Sequence, residues 1–123
     1  MDDGQVHEKR FVVLAVSETT VTSVINSRIS DFIRHRPDLL RCQVSMTKRD
    51  HDFMDHDSYV DCSRTHTFAT RDVIDELAER PEWVLGPISP DLREAVVGAL
   101  KYAPTLPPAE VAALVQGLEA MEP

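Results

Sequence analysis

The first half of the chain alternates apolar and polar positions at a short period. "FVVLAV" (11–16) is a β-branched and aromatic run that predicts a buried strand. "TVTSVINS" (20–27), rich in Thr, Val and Ile, predicts the next strand, with "SETT" between them as a hairpin loop. In "SDFIRHRPD", Ser30 or Asp31 caps one turn of helix that Pro37 stops, because the residue before proline is pushed out of the α region. "LLRCQVSMT" (39–47) predicts a strand with Cys42, Val44 and Met46 on one face and Gln43 and Ser45 on the other. "SYVDCSRTHTF" (58–68) predicts a half-buried strand with Val60, Cys62 and Arg64 opposed to Tyr59, Asp61 and Ser63. "WVLGP" reads as a last short strand, closed by Gly86.

From residue 70 the period becomes helical. Thr70 is expected to cap a helix over 71–80, with Val73, Ile74, Leu77 and Ala78 as its apolar stripe and Pro81 as its stop. Ser89, Pro90 and Asp91 form a start signal for a helix over 90–103 whose apolar face is Leu92, Val96, Ala99 and Leu100. "TLPPAEVAALVQGLEAM" repeats the pattern with Val111, Leu114, Val115 and Leu118. Short strands followed by helices predict an α+β domain built on a small curved antiparallel sheet or SH3-like barrel, with C-terminal helices. The expected division is a flexible segment 1–10, a barrel domain 11–104 and a helical extension 105–123. A small barrel offers too little surface to cover the extension's stripe, which predicts a homodimer or partner contact centred on Leu114.

With 123 residues the chain matches one compact domain. The polar start "MDDGQVHEKR" has no apolar signal region and no run is long enough to cross a bilayer, so the expectation is a cytoplasmic protein with no membrane contact. The formal charge of −8 is unevenly spread: residues 1–49 hold eight basic against six acidic side chains, and residues 50–123 five against fifteen. Bulk attraction of nucleic acid is therefore not expected, and any anion site must be a local patch among Arg28, Arg34, Arg36, Arg41, Lys48 and Arg49. Cys42 and Cys62 lie within apolar runs and read as small buried core residues, not as a disulfide.

The segment "KRDHDFMDHDSYVDCSRTH" (48–66) concentrates the chemistry. His51, His56 and the aspartates around them are suitable metal ligands, yet no HExxH, CxxC or calcium-loop spacing is present, and the four glycines are isolated. No metal or other cofactor is expected. Metal-free cleavage of RNA by its own 2′-hydroxyl needs a base, an acid and a cation. His51, His56 and His66 suit the first two roles, and Arg28, Lys48, Arg49 and Arg64 the third. The groove beside residues 48–58 sets His56, His51, Lys48 and Arg28 as the catalytic candidates and Arg49, Asp57, Ser58 and Arg64 as the binding ones. The loop is expected to project His51 and His56 at the groove's rim, anchored by Phe53, with Ser58 and Tyr59 starting the next strand.

The run "INSRISDFIRHRPDLLRCQVSMTKRDHDFMDHDSYVDCSRT" resembles the PemK/MazF-like toxin superfamily. So does the order of "FVVLAV", "CQVSMT", "SYVDCSRTHTF" and "GPISPDLREAVVGAL" across residues 10–103. The resemblance implies a CcdB/PemK-like SH3-type barrel, a homodimer, and a sequence-selective endoribonuclease acting on single-stranded RNA. It also implies an antitoxin whose extended tail crosses the active groove. The superfamily's gyrase-binding members imply the alternative, a non-catalytic protein-interaction module on the same barrel. Where the family pattern places Arg, Cys and Asp on one strand, this chain has Asp61, Cys62 and Ser63. Only Cys62 carries over directly, as a packing residue, so the cation and the acid-base group must come from Arg28, Lys48 or His56 on neighbouring loops.

Overall fold

The computed structural model describes residues 9–120. The segment 1–10 therefore lies outside the described residues except for Lys9 and Arg10. Among the described residues, β1 (Arg10–Val16), β2 (Thr19–Asn26), β3 (Gln43–Met46), β4 (Ser58–Asp61) and β5 (His66–Ala69) form one curved antiparallel sheet. β2 is its spine. One edge of β2 pairs with β1; the other is shared, Ile25 and Asn26 pairing with β4 and Thr19 to Thr22 with β5. β3 completes the order β1-β2-β4-β3. Because β1, β3 and β5 each pair with one neighbour, the sheet curves without closing into a barrel.

Three of the expected elements differ. The strand expected over 58–68 is two strands, because residues 62–65 leave the ladder in a turn. Asp61 makes that turn: its buried Oδ1 accepts the Ser63 N–H at 2.9 Å, the Ser63 hydroxyl, and Gln43 Nε2 at 2.9 Å. An aspartate that bonds the backbone two residues on creates a bend that strand propensity alone does not reveal. The strand expected over 39–47 shortens to β3, because Pro37 starts a one-turn helix, α2 (Pro37–Leu40), at the position where its missing N–H costs nothing. α1 (Asp31–Arg34) precedes it, and Ser30 caps α1 by accepting the Ile33 N–H. Finally, "WVLGP" pairs with no strand; Pro81–Trp83 is a 3₁₀ turn and the chain then runs extended.

α3 (Thr70–Glu79) begins one residue before its expected start, and Thr70 is not its cap. Ala69 holds the cap position, and the Thr70 hydroxyl shares a 2.8 Å hydrogen bond with that of Thr20. No residue of α3 is buried: Val73 and Leu77 are half-buried, and Ile74 and Ala78 are exposed. α4 (Pro90–Tyr102) forms as predicted, Ser89 Oγ accepting the Leu92 N–H, and it buries all four stripe residues together with Val97. α5 (Pro108–Glu119) packs on α4 and β1. Leu114, Val115 and Leu118 are buried there and Val111 half-buried, so the stripe expected to require a second chain is covered by the chain's own fold. The two helices lie together over the sheet and close one core with Val12, Leu14, Val44, Met46 and Val60. Among the described residues no helix is long and apolar enough to cross a membrane.

Cys42 and Cys62 are free and fully buried. Burial, then the nearby Asp61 charge and Cys42, push the Cys62 thiol from its ordinary 9.0 up to about 12. Burial and then Asp61 also raise the Cys42 thiol. A raised acid keeps its proton when folded and loses it when unfolded, so this stabilisation is complete below pH 9.0 and declines as pH climbs toward about 12. Urea titrations should show unfolding free energy falling by up to about 1.4 kcal/mol per pH unit above pH 9. Cys62→Ala should remove most of that slope. Leu114→Ala should cost about 2–5 kcal/mol by the same measurement, as a core position does.

Candidate functional site

The end of β2, the loop after it and α1 form one wall of an open cavity of about 1260 Å³. Asn26 is the last paired residue of β2, and the chain leaves the sheet at Ser27 and Arg28 before Ser30 starts α1. Arg34 turns back along this wall and donates from Nε to the Ile29 carbonyl at 3.2 Å. The rest of the lining comes from Met54 to His56, Ser58, Asp61, Arg64 and His66, with Lys9, Arg10 and Phe11. Arg64 and His66 reach the cavity because of the Asp61 turn, which carries the chain from β4 to β5 along the edge of β2. The turn is tied down from the helical layer as well, Thr65 donating to Glu110 at 3.0 Å and the Thr105 hydroxyl to the Ser63 carbonyl.

The cavity concentrates positive charge in an acidic chain. Arg10 pairs with Asp55 at 3.6 Å, a contact held at the exposed rim. Arg28 and Arg64, both exposed, make no ion pair among the described residues. Of the other residues in the anticipated basic patch, Arg36 lies over the Phe32 ring at 4.0 Å and Arg41 over the Tyr102 ring at 3.8 Å. Those two guanidinium groups are held on aromatic faces outside the cavity.

The loop over 48–57 separates its two histidines. His56 is exposed and lines the cavity. Its Nδ1 lies 3.0 Å from the Asp57 carbonyl and 3.2 Å from Ser58 Oγ. A carbonyl oxygen can only accept, so the bond to Asp57 belongs to the tautomer with its hydrogen on Nδ1, whereas the other tautomer would accept the Ser58 hydroxyl there. His51 is instead 2% exposed and lies away from the cavity. Its Nδ1–H donates to the Thr47 carbonyl at 2.9 Å, and its Nε2 accepts the Ser89 N–H at 2.9 Å. Both ring nitrogens are thus engaged in holding the loop to the first turn of α4, and the expectation that His51 projects at the rim is corrected. The N–H at a helix cap needs a partner, and the fold supplies an imidazole. Phe53 packs beside it, edge-on to His51 at a centroid distance of 5.7 Å. Gly86 presents bare backbone to that ring at φ +149, where a Cβ would sit 3.0 Å from it.

Of the residues expected at the site, the cavity thus gathers His56, Arg28, Ser58 and Arg64, whereas His51, Lys48, Arg49 and Asp57 do not line it. Lys48 and Arg49 are exposed at the start of the loop. Asp57 accepts the Lys48 N–H at 2.9 Å and so clasps the loop's two ends together. Sequence reasoning missed Arg10 and Phe11 as lining residues. The available signal was position: Arg10 immediately precedes the apolar run and pairs with Ile25, so strand β1 begins one residue before the hydrophobic pattern does. Among the described residues no group of three His, Cys, Asp or Glu side chains is placed to hold a metal ion. Comparisons with family models, curated proteins and solved structures find no match to this chain.

The two histidines should separate cleanly in a stability measurement. His51→Ala leaves the half-buried Ser89 N–H without its acceptor and removes a buried ring, and should cost about 1–3 kcal/mol in urea unfolding. His56→Ala, at an exposed position, should stay within about 0.5 kcal/mol of the parent.

Proposed function

We propose that the cavity binds single-stranded RNA and that the protein is a toxin-like, metal-independent endoribonuclease. The observation that carries this reading is the joint lining of one cavity by His56, His66, Arg28 and Arg64. In this reading His56 Nε2 takes the proton from a ribose 2′-hydroxyl, and the 2′ oxygen attacks the adjacent phosphorus. The bond from phosphorus to the 5′ oxygen breaks, and that oxygen takes a proton from His66. Arg28 and Arg64 hold the non-bridging oxygens as negative charge grows on them. The reading uses the His56 tautomer that donates from Nδ1 to the Asp57 carbonyl, with the lone pair on Nε2. Two free, buried thiols suit a reducing compartment, and we place the activity in the cytoplasm.

A second reading is favoured by a separate surface. Ile74 on α3 and Trp83, Val84 and Leu85 after it are all exposed, with Trp83 at 53%. They are flanked by Asp72, Asp75, Glu76, Glu79 and Glu82, with Arg71 and Arg80 among them, Arg80 pairing with Glu76 and lying over the Trp83 ring at 4.7 Å. An exposed apolar strip of this kind in an acidic frame suits a protein-interaction module whose partner presents apolar and basic side chains. The partner in this reading is a neutralising antitoxin.

Purified protein incubated with single-stranded RNA decides between the two. Cleavage that persists with a chelator, leaves 2′,3′-cyclic phosphate ends and spares a 2′-deoxy substrate is the expected result. His56→Ala should then slow cleavage by roughly 10²–10⁴-fold with the fold intact. Absence of cleavage, or cleavage of the 2′-deoxy strand, would remove the endoribonuclease and leave the interaction module.

A further inference from the structure

Beside the basic cavity the open face of the sheet carries aromatic rings that the proposed chemistry does not use. Phe11 on β1 is paired with Val24, and His66 and Phe68 on β5 are paired with Thr22 and Thr20. Two-residue alternation therefore sets Phe11, Val13, Thr20, Thr22, His66 and Phe68 on one face. β1 and β5 flank β2 on opposite edges, roughly 10 Å apart at ordinary strand spacing. Yet the Phe11 ring meets Phe68 at a centroid distance of 5.5 Å and His66 at 5.9 Å, both edge to face. The rings lean together across β2 on a concave surface. Beneath them Thr20 and Thr22 are buried, and their hydroxyls are already bonded to Thr70 and to the His66 carbonyl.

This arrangement leaves ring surface in solvent. Phe11 is 37% exposed and Phe68 41%, unlike the core rings a small domain normally hides. Phe11 and His66 also line the cavity that holds Arg28 and Arg64. An aromatic ledge beside arginines that make no ion pair among the described residues has the two components that a single strand of nucleic acid requires, π-faces for its bases and cations for its phosphates. A duplex keeps its bases stacked inside and gains nothing from the ledge.

We infer that Phe11, His66 and Phe68 form a base-stacking platform that receives one or two unpaired bases of a single-stranded RNA whose phosphates lie against Arg28 and Arg64. This inference rests on the RNA-binding reading of the cavity and adds the surface that binds the strand's bases. Stacking on a π-face is tolerant of base identity, so the platform contributes affinity and register rather than sequence selection.

The test uses the full chain and a short fluorescent single strand with 2′-fluoro sugars, which resists internal attack, alongside its abasic counterpart and a duplex of the same length. Anisotropy titrations of the parent should rank the base-bearing strand above both. Phe68→Ala should weaken the base-bearing strand by roughly 5- to 100-fold and leave the abasic strand unchanged. Phe68→Trp, which keeps a π-face at the position, should hold the parent affinity. Arg28→Ala should weaken both strands and lower the salt slope by about one counterion. Equal binding of base-bearing and abasic strands by the parent, or no effect of Phe68→Ala and Phe11→Ala, would overturn the platform while leaving the cation site standing. Failure of the parent to bind either strand would overturn the RNA-binding reading itself, and the platform with it. Tight binding of the duplex would overturn the preference for a single strand.

Discussion

The buried carboxylate of Asp61 is the group on which both the sheet and the cavity depend. By accepting bonds from the backbone and hydroxyl of Ser63 and from the Gln43 amide, it stops one strand and allows a second to begin against the same edge of β2. A buried charge is tolerated only when hydrogen bonds replace its lost water, and three donors do so here. The sheet can then bend at the break. Without the bend, β4 would run straight on along β2, and Arg64 and His66 would take the alternating positions of a continuous strand.

The helical layer enforces the same geometry from the other side. Thr65 is tied to Glu110 and Ser63 to Thr105, so the turn is held between the sheet and the segment that starts α5. The loop over 48–57 is fixed independently. His51 joins it to the cap of α4, and Phe53 lies against Gly86. One end of the loop is thereby welded to the core while its other end, at His56, stands beside the cavity. Two chemically similar histidines five residues apart thus do opposite jobs, and the difference lies in what surrounds them. The imidazole bonded at both nitrogens to backbone is spent on structure; the other, bonded only through Nδ1, to Asp57 and Ser58, stands exposed at the cavity.

Charge follows the same logic. The chain's net charge of −8 argues against nucleic acid in bulk, but what a ligand meets is the local field. The acidic residues of α3 and the following segment do not line the cavity, which carries Asp31, Asp55 and Asp61 together with Arg28 and Arg64, these two making no ion pair among the described residues. The rings of Phe11 and Phe68 beside them, and Ile74, Trp83, Val84 and Leu85 elsewhere, leave apolar side chains exposed in two parts of one small domain.

The α+β class, the apolar faces of α4 and α5, the Ser89 cap and the burial of both cysteines were readable from residue pattern, which left the cap of α1 open between Ser30 and Asp31. Pattern also marked 48–66 as the region of interest and named His56, Arg28, Ser58 and Arg64, which the fold brings to one cavity. It did not distinguish His51 from His56, since a histidine's role here is set by Thr47 and Ser89, the latter 38 residues away. It did not show that α5 completes its own core, because whether an apolar stripe needs a second chain depends on how much sheet and helix the rest of the fold lays against it. Nor did it show the break after Asp61, where propensity for a strand yields to a side chain bonding its own backbone. Local preference chooses elements; the pairing of β2 with two strands at once, a contact between distant segments, decides which side chains share a cavity.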